Sequence, residues 1–208
     1  MREFNRKEVV MFFYIGGISG VGKTITIESI LQLAHEKCIK LEIAPLKETL
    51  CTLAGVETVE EFRLLPESFR SNLHPQAREI LYEIDASDFK TIRIYDSHFC
   101  SLNQEGKEFI IRSVHREDRK RIKGIAILTA NPLFIAMRRI QDYPKRIDRH
   151  QFNISQLSRE QDKEIEVAMT QARELGVSCI TFDNTNSSVF SMSEEIFVYI
   201  QQIIAGNR

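Results

Sequence analysis

The chain has 208 residues, 28 Lys+Arg against 29 Asp+Glu and 43% hydrophobic residues, the profile of a soluble globular chain with one domain spanning 1–208. A formal net charge of −1 gives no global attraction to nucleic acid or to an anionic membrane, so any anionic ligand has to be met by local charge. The cysteines, at 38, 51, 100 and 179, make no C-x-x-C pair and no Cys/His metal spacing, which points to a reducing, cytoplasmic setting without disulfide staples.

Val9–Ile15 is the longest apolar run, about a third of the roughly 20 residues that span a bilayer. It reads as a first buried strand, not a membrane helix. Glu3 and Glu8 interrupt the basic residues before it and no small-residue cleavage site follows, so it does not read as a signal peptide. Directly after it comes Gly17-Ile18-Ser19-Gly20-Val21-Gly22-Lys23-Thr24, which fits G-x-x-x-x-G-K-[ST] at every defined position. Such a loop works where a buried strand ends and a helix begins. Glycines let backbone N–H groups turn around a phosphate, and the helix N-terminus adds partial positive charge. The helix is expected from Thr24 to Ala34. Lys23 would bridge the outer two phosphates of a nucleoside triphosphate, and the Thr24 hydroxyl would ligate Mg²⁺. The dinucleotide pattern G-x-G-x-x-G cannot be laid on these glycines, which counts against a nicotinamide enzyme.

A second strand is expected at Ile39–Ala44. Thr58–Ala86 then carries more helical pattern than one crossover needs, opened by a Thr58/Glu61 capping box and broken by Pro66 and Pro75. Its arginines, Arg63, Arg70 and Arg78, lie between strands two and three, where a second, acceptor nucleotide would be gripped. Spread arginines suit an anion such as a monophosphate. The third strand, Thr91–Tyr95, runs into Asp96-Ser97-His98. A carboxylate here can hold a water on the metal or orient an acceptor. For His98, packing and chemistry both stay open.

The next basic cluster, Arg112, Arg116, Arg119, Lys120, Arg121 and Lys123, reads as the solvated face of a helix leading into the fourth strand, Gly124–Leu128. It is mixed with Glu117 and Asp118 and lacks aromatics for base stacking, so nucleic acid is not the expected partner. Asn131-Pro132 marks a helix start. Arg138 and Arg139 follow on that helix, and the polar stretch 141–156 adds Lys145, Arg146 and Arg149. Cations on a segment that can close over a transferred phosphoryl group suit phosphotransfer. A helix from Ser158 to Leu175, boxed by Ser158 and Gln161 and stopped by Gly176, precedes a fifth strand at Val177–Phe182. A final helix is signalled by Ser191 and Glu194.

Strands alternating with helices imply an α/β fold with a mainly parallel five-stranded sheet covered on both faces. The Asp-x-x-Gly and Asn-Lys-x-Asp motifs of GTP-binding switches are absent from the sequence. Length, and the lack of a second carboxylate beside Asp96, exclude large motor ATPases.

With these elements in place, the chain resembles the archaeal-type adenylate kinases, a nucleoside monophosphate kinase branch of the P-loop kinases. The likeness rests on Gly17–Thr24, on Arg63-Leu-Leu-Pro66, on Ile94-Tyr-Asp-Ser-His98, on Leu128-Thr-Ala-Asn-Pro132 leading to Met137-Arg138, and on a lid-like Lys145-Arg-Ile-Asp-Arg149. Where that family shows an arginine and Thr-Pro-x-Gly-Tyr-Leu, this chain has Phe99-Cys-Ser-Leu-Asn-Gln-Glu-Gly106. The resemblance implies a P-loop kinase fold with a helical monophosphate-binding insertion (58–86) and a short lid (141–156). It also implies ATP at the loop, AMP as acceptor, and Mg²⁺. Lys23 and Arg138 would stabilise the transferring group, Arg146 and Arg149 would clamp ATP, and Arg63 or Arg78 would hold the monophosphate. Two other readings remain open: the same fold acting on a different small molecule or a nucleic-acid 5′ end, and a non-catalytic ATP-binding regulatory module. No exposed apolar stripe stands out from the core patterns, and association into a homo-oligomer stays open.

Overall fold

The computed structural model describes residues 10–88, 90–102, 108–111, 113–142, 152–185 and 189–206. Its centre is β1 (Met11–Gly16), in which every residue after Met11 is buried. Around it lie β2 (Leu41–Ile43), β3 (Ile92–Asp96), β6 (Ile122–Thr129) and β7 (Ser178–Asp183), in the spatial order β2-β3-β1-β6-β7, all parallel. This is the five-stranded parallel sheet that the alternation implied.

The continuous apolar run of β1 follows from burial on both faces. Phe13 and Ile15 pack with α1 (Lys23–Glu36) and α7 (Val189–Gly206) through Ile27, Ile30, Ile196 and Ile200. Phe12 and Tyr14 point the other way, toward Leu81 of α4 (Glu67–Ser87) and Val167, Ala168 and Ala172 of α6 (Ile154–Leu175). Each fully buried side chain of this size contributes roughly 2 kcal/mol. Tyr14 also stacks on Tyr95 of β3, ring centroids 4.9 Å apart and 13° from parallel.

The segment between β2 and β3 is helical from an earlier point than Thr58. It comprises α2 (Leu46–Ala54), α3 (Val59–Leu64) and α4. Leu50, Cys51, Phe62, Leu73 and Ala77 close a small core of their own. The Thr58/Glu61 capping box is formed as expected, with the Glu61 amide donating to Thr58 Oγ1 at 3.1 Å. Pro66 caps α4, but Pro75 lies inside it and does not break it. A proline forgoes one helical hydrogen bond, and Leu73, Ala77 and Leu81 hold the helix through burial on both sides of that gap.

Two further boundaries move. Asn153, not Ser158, caps α6 by accepting from the Gln156 amide at 3.0 Å, and Ser158 lies in the helix interior. Ser191 lies within α7 instead of before it. Gly176 ends α6 in the left-handed conformation, as its position suggested.

The connection from β3 to β6 corrects the expected helix. The chain forms an antiparallel hairpin, β4 (Cys100–Leu102) with β5 (Glu108–Ile110), and then a single 3-10 turn at Arg116–Lys120. The basic run has no apolar stripe with which to dock a helix on the sheet, and buried Phe99 anchors the hairpin there instead. Nor is that run uniformly solvated. Asp118 is buried and accepts from Arg78 Nη1 at 2.7 Å and from the Tyr82 hydroxyl at 2.5 Å. Arg121 lies over the rings of Tyr82 and Phe12, 4.5 and 5.8 Å from their centroids. Burial and the hydrogen bond to Asp118 push the Tyr82 phenol up to about 12. No helix among the described residues is long and apolar enough to cross a membrane.

Candidate functional site

Strand register brings the site together. Ile15 pairs with Asp96, Gly16 with Ile127 and Thr129 with Asp183, so Gly17, Asp96, Ala130 and Asn184 emerge along one carboxyl edge of the sheet. Open parallel sheets bind ligands along this edge. The first loop there runs Gly17, Ile18, Ser19, Gly20, Val21, Gly22, and its glycines are required by backbone and by space. Gly17 has φ +135°, and a Cβ there would fall 2.6 Å from the Leu128 carbonyl oxygen. Gly22 has φ +100°, and a Cβ there would meet Asn184 Nδ2 at 2.6 Å. L-residues with side chains rarely adopt such conformations.

Gly22 is the N-cap of α1, so Lys23 and Thr24 open the helix. Lys23 is buried; its ammonium donates to the Gly17 carbonyl and lies 3.4 Å from His98 Nε2. Two arginines of α5 (Pro132–Asp142) hold the other side of the loop. Arg138 Nη1 donates to the carbonyls of Gly20 and Val21 at 3.3 and 3.2 Å. Arg139 is buried, donates from Nε to the Ser19 carbonyl at 2.8 Å, and pairs through Nη2 with Glu160 of α6 at 3.1 Å. Asn184, buried after β7, donates from Nδ2 to the Val21 carbonyl at 2.7 Å.

Beneath the loop lies Glu164, with no exposed surface. Its Oε1 accepts from the Gly17 amide at 2.9 Å, and its Oε2 accepts from the Phe99 and Cys100 amides at 2.8 and 2.6 Å. Burial raises its pKa above the usual carboxylate value, although the Lys23 charge and these amides pull it part of the way back. The three N–H donors call for acceptor oxygens, which an ionised carboxylate supplies.

On the other flank, Asp96 pairs through Oδ2 with Lys47 at the start of α2, while its Oδ1 is buried with no hydrogen-bond partner. Thr24, Lys47 and Asp96 line one cavity of about 120 Å³. This arrangement fits Mg²⁺, which takes few protein oxygens and keeps waters and phosphate oxygens as its other ligands. The Thr24 hydroxyl and the unpartnered Asp96 oxygen would serve it. Among the described residues no cluster of three His, Cys, Asp or Glu forms a denser metal site.

His98 reaches the surface, yet crowding and then the positive charges of Lys23, Lys47, Arg63 and Arg139 press its pKa well below the usual histidine value. Cations from α1, α2, α3 and α5 therefore all bear on the field at His98.

The expected site residues thus separate into groups. Gly17–Thr24, Asp96, His98 and Arg138 are brought together. Arg63 reaches His98 electrostatically while pairing with Glu60 at 3.3 Å. Arg78 is turned to Asp118, and Arg70 has a buried Nε without a hydrogen-bond partner; both act electrostatically on His74 instead. Arg146 and Arg149, and residues 143–151 of the expected lid, lie outside the described residues. Four site residues were not singled out from the sequence. Glu160 and Glu164 resemble the solvated charges of any long helix, and Asn184 follows a strand with no motif. Lys47 carried a usable signal, a cation just beyond the carboxyl end of strand two.

No family model and no curated protein matches this sequence. Solved structures do. The shikimate kinase from Acinetobacter baumannii, in complex with shikimate, is 12% identical, with 97% of this chain and 96% of that one covered and a TM-score of 0.52. The shikimate kinase from Bacteroides thetaiotaomicron is 14% identical, with 92% and 98% covered and a TM-score of 0.53. At these identities the likeness speaks for the fold, and the fold is that of the P-loop kinases. It bears on the archaeal-type adenylate kinase resemblance at that coarser level only.

Proposed function

We propose that this protein is an ATP-dependent phosphotransferase whose acceptor is a nucleoside monophosphate, AMP first among them. The observation that carries this reading is the convergence of Lys23 and Arg138 on the carbonyls of one glycine loop, from opposite sides and from distant parts of the chain. Phosphate oxygens carry negative charge and hold these cations more strongly than neutral carbonyls do. A triphosphate in the loop would recruit both.

Transfer forms a bond from an acceptor oxygen to the γ-phosphorus and breaks the bond from that phosphorus to the bridging oxygen. A monophosphate oxygen is already ionised, so no general base is required. Catalysis is then positioning and charge neutralisation. Lys23 and Arg138 spread cation density over the moving group and Arg63 supplies charge to the acceptor side; the sequence resemblance adds Arg146 and Arg149 as residues that would clamp ATP. Thr24, and Asp96 through water, would hold Mg²⁺, which would supply neutralisation of phosphate charge. The AMP assignment rests on the sequence resemblance, and the convergence of Lys47 and Arg63 toward His98 supports an anionic acceptor.

Purified protein with ATP, Mg²⁺ and each monophosphate in turn, assayed for diphosphate, tests the reading; AMP is expected to give the fastest turnover. Absence of diphosphate with every monophosphate would reject it.

A further inference from the structure

Lys47 is the second residue of α2, whose N-cap, Pro45, offers no side-chain cap. A cation in the first turn of a helix opposes the positive end of the macrodipole, so its placement is unfavourable for the helix itself. Glu48 in the same turn complements the dipole, and the Lys47 ammonium turns to Oδ2 of Asp96 across the crevice, while its side chain stays 48% exposed. Asp96 is thereby engaged through one oxygen only, and its second oxygen is buried without a partner. A carboxylate held this way has capacity for one more donor or for a water on a metal.

The cavity beside this pair has an apolar wall from Ile27, Ile43 and Leu46, and Lys47 is the cation among its lining residues. Glu28 and Glu48 stand on the same lining. Without Lys47 the charged groups on this lining would be carboxylates alone, so Lys47 is the side chain of the lining that can meet an anionic group. The position also fixes which substrate is concerned. Arg138 and Asn184 meet the loop at Gly20 and Val21, on the β6–β7 side, whereas Lys47 faces it from the β2–β3 side. A donor nucleotide held by the first pair leaves the second flank to the acceptor.

We propose that Lys47 is the acceptor-binding cation of this site: its ammonium exchanges the Asp96 carboxylate for the anionic group of a monophosphate acceptor, freeing Asp96 for the metal's water shell. This rests on the phosphotransferase reading above, but it is tested through binding as well as turnover.

The experiment uses full-length protein, with Lys47→Met and Lys47→Arg beside wild type. Calorimetric titrations with AMP and with ATP are paired with steady-state kinetics, and thermal melts confirm folding. Lys47→Met is expected to weaken AMP binding and raise the AMP KM about 10- to 100-fold, the loss of one charge-assisted hydrogen bond, with ATP affinity changed less than about two-fold. Lys47→Arg is expected to retain most AMP affinity. Unchanged AMP affinity in Lys47→Met, or an equal fall in ATP affinity, overturns the proposal, as does a wild type that binds no monophosphate. A wild type that binds AMP through Lys47 and makes no ADP sinks the phosphotransferase reading while upholding the acceptor site.

Discussion

The carboxylate of Glu164 and the amide of Gly17, 147 residues apart in sequence, are joined by a 2.9 Å hydrogen bond beneath the glycine loop. The same carboxylate takes the amides of Phe99 and Cys100, so one side chain of α6 pins the exits of β1 and β3 together. Replacing it by alanine strands three buried N–H groups, each costing about 1–3 kcal/mol less whatever relaxation recovers. Glu164→Ala is expected to lose roughly 3 kcal/mol in denaturant unfolding, and Glu164→Gln less, because one acceptor oxygen survives. In Glu164→Gln the amide NH₂ cannot accept from Gly17 while the remaining oxygen serves Phe99 and Cys100, so ATP affinity is expected to fall more than AMP affinity. Equal affinities in both titrations would show that Glu164 holds the fold without shaping the loop.

Under the proposed phosphotransfer, Lys23 is the residue on which turnover is expected to depend most. Loss of one preorganised charged donor in a closed site typically costs about 10²–10³ in kcat, and Lys23→Ala is expected to fall in that range or below it in a coupled ADP-formation assay. It is also expected to cost about 1–3 kcal/mol of stability, because it takes a donor away from the buried Gly17 carbonyl. A Lys23→Ala enzyme turning over at the wild-type rate would overturn the mechanism.

The sheet and the loop were legible because they rest on local signals. An apolar run, a glycine pattern and a helix start each depend on neighbours within a few residues, and β1, Gly17–Thr24 and the Asn131-Pro132 start all fell where the pattern put them. The hairpin after Asp96 was not legible. Its strands are three residues long, and what holds them is Phe99 under the sheet and amides bonded to Glu164, contacts that sequence spacing cannot encode. Glu160 and Glu164 were hidden for the same reason: on a helix rich in Glu, Lys and Arg, only packing shows which carboxylates face inward. Arg139 looked like a partner of the lid, yet its burial against Ser19 and Glu160 makes it a strut of the loop.

His98 gives a pH signature. With a folded pKa well below 6.5, it is neutral in the free protein while the unfolded chain still titrates at that value. The unfolded state then binds more protons in the window below 6.5, so stability falls as pH drops from 6.5 toward the folded pKa and levels below it. His98→Gln is expected to lose that part of the pH dependence. By NMR titration the His98 pKa is expected to rise when a phosphate-bearing ligand enters, since an anion offsets the charges of Lys23, Lys47, Arg63 and Arg139. A pKa indifferent to AMP and ATP would place phosphate elsewhere.

Arg78 was expected on the acceptor, and the structure turns it instead to Asp118, a carboxylate 2% exposed that also takes the Tyr82 hydroxyl. This pair ties α4 to the 3-10 turn ahead of β6, far from the carboxyl edge where the loop lies. Removing one partner of a buried pair costs about 3–5 kcal/mol, because the other charge is left without compensation. The Arg78 side chain keeps 26% exposure, so Asp118, left unpaired when Arg78 is removed, is the costlier orphan. Arg78→Ala is expected to destabilise by roughly 2–3 kcal/mol, with the AMP KM within about two-fold of wild type. A double-mutant cycle with Asp118→Asn is expected to show a coupling of about 1–3 kcal/mol in stability and none in AMP affinity. The opposite pattern, a raised AMP KM with little coupling in stability, would return Arg78 to the acceptor site and show that α4 rotates when ligand binds.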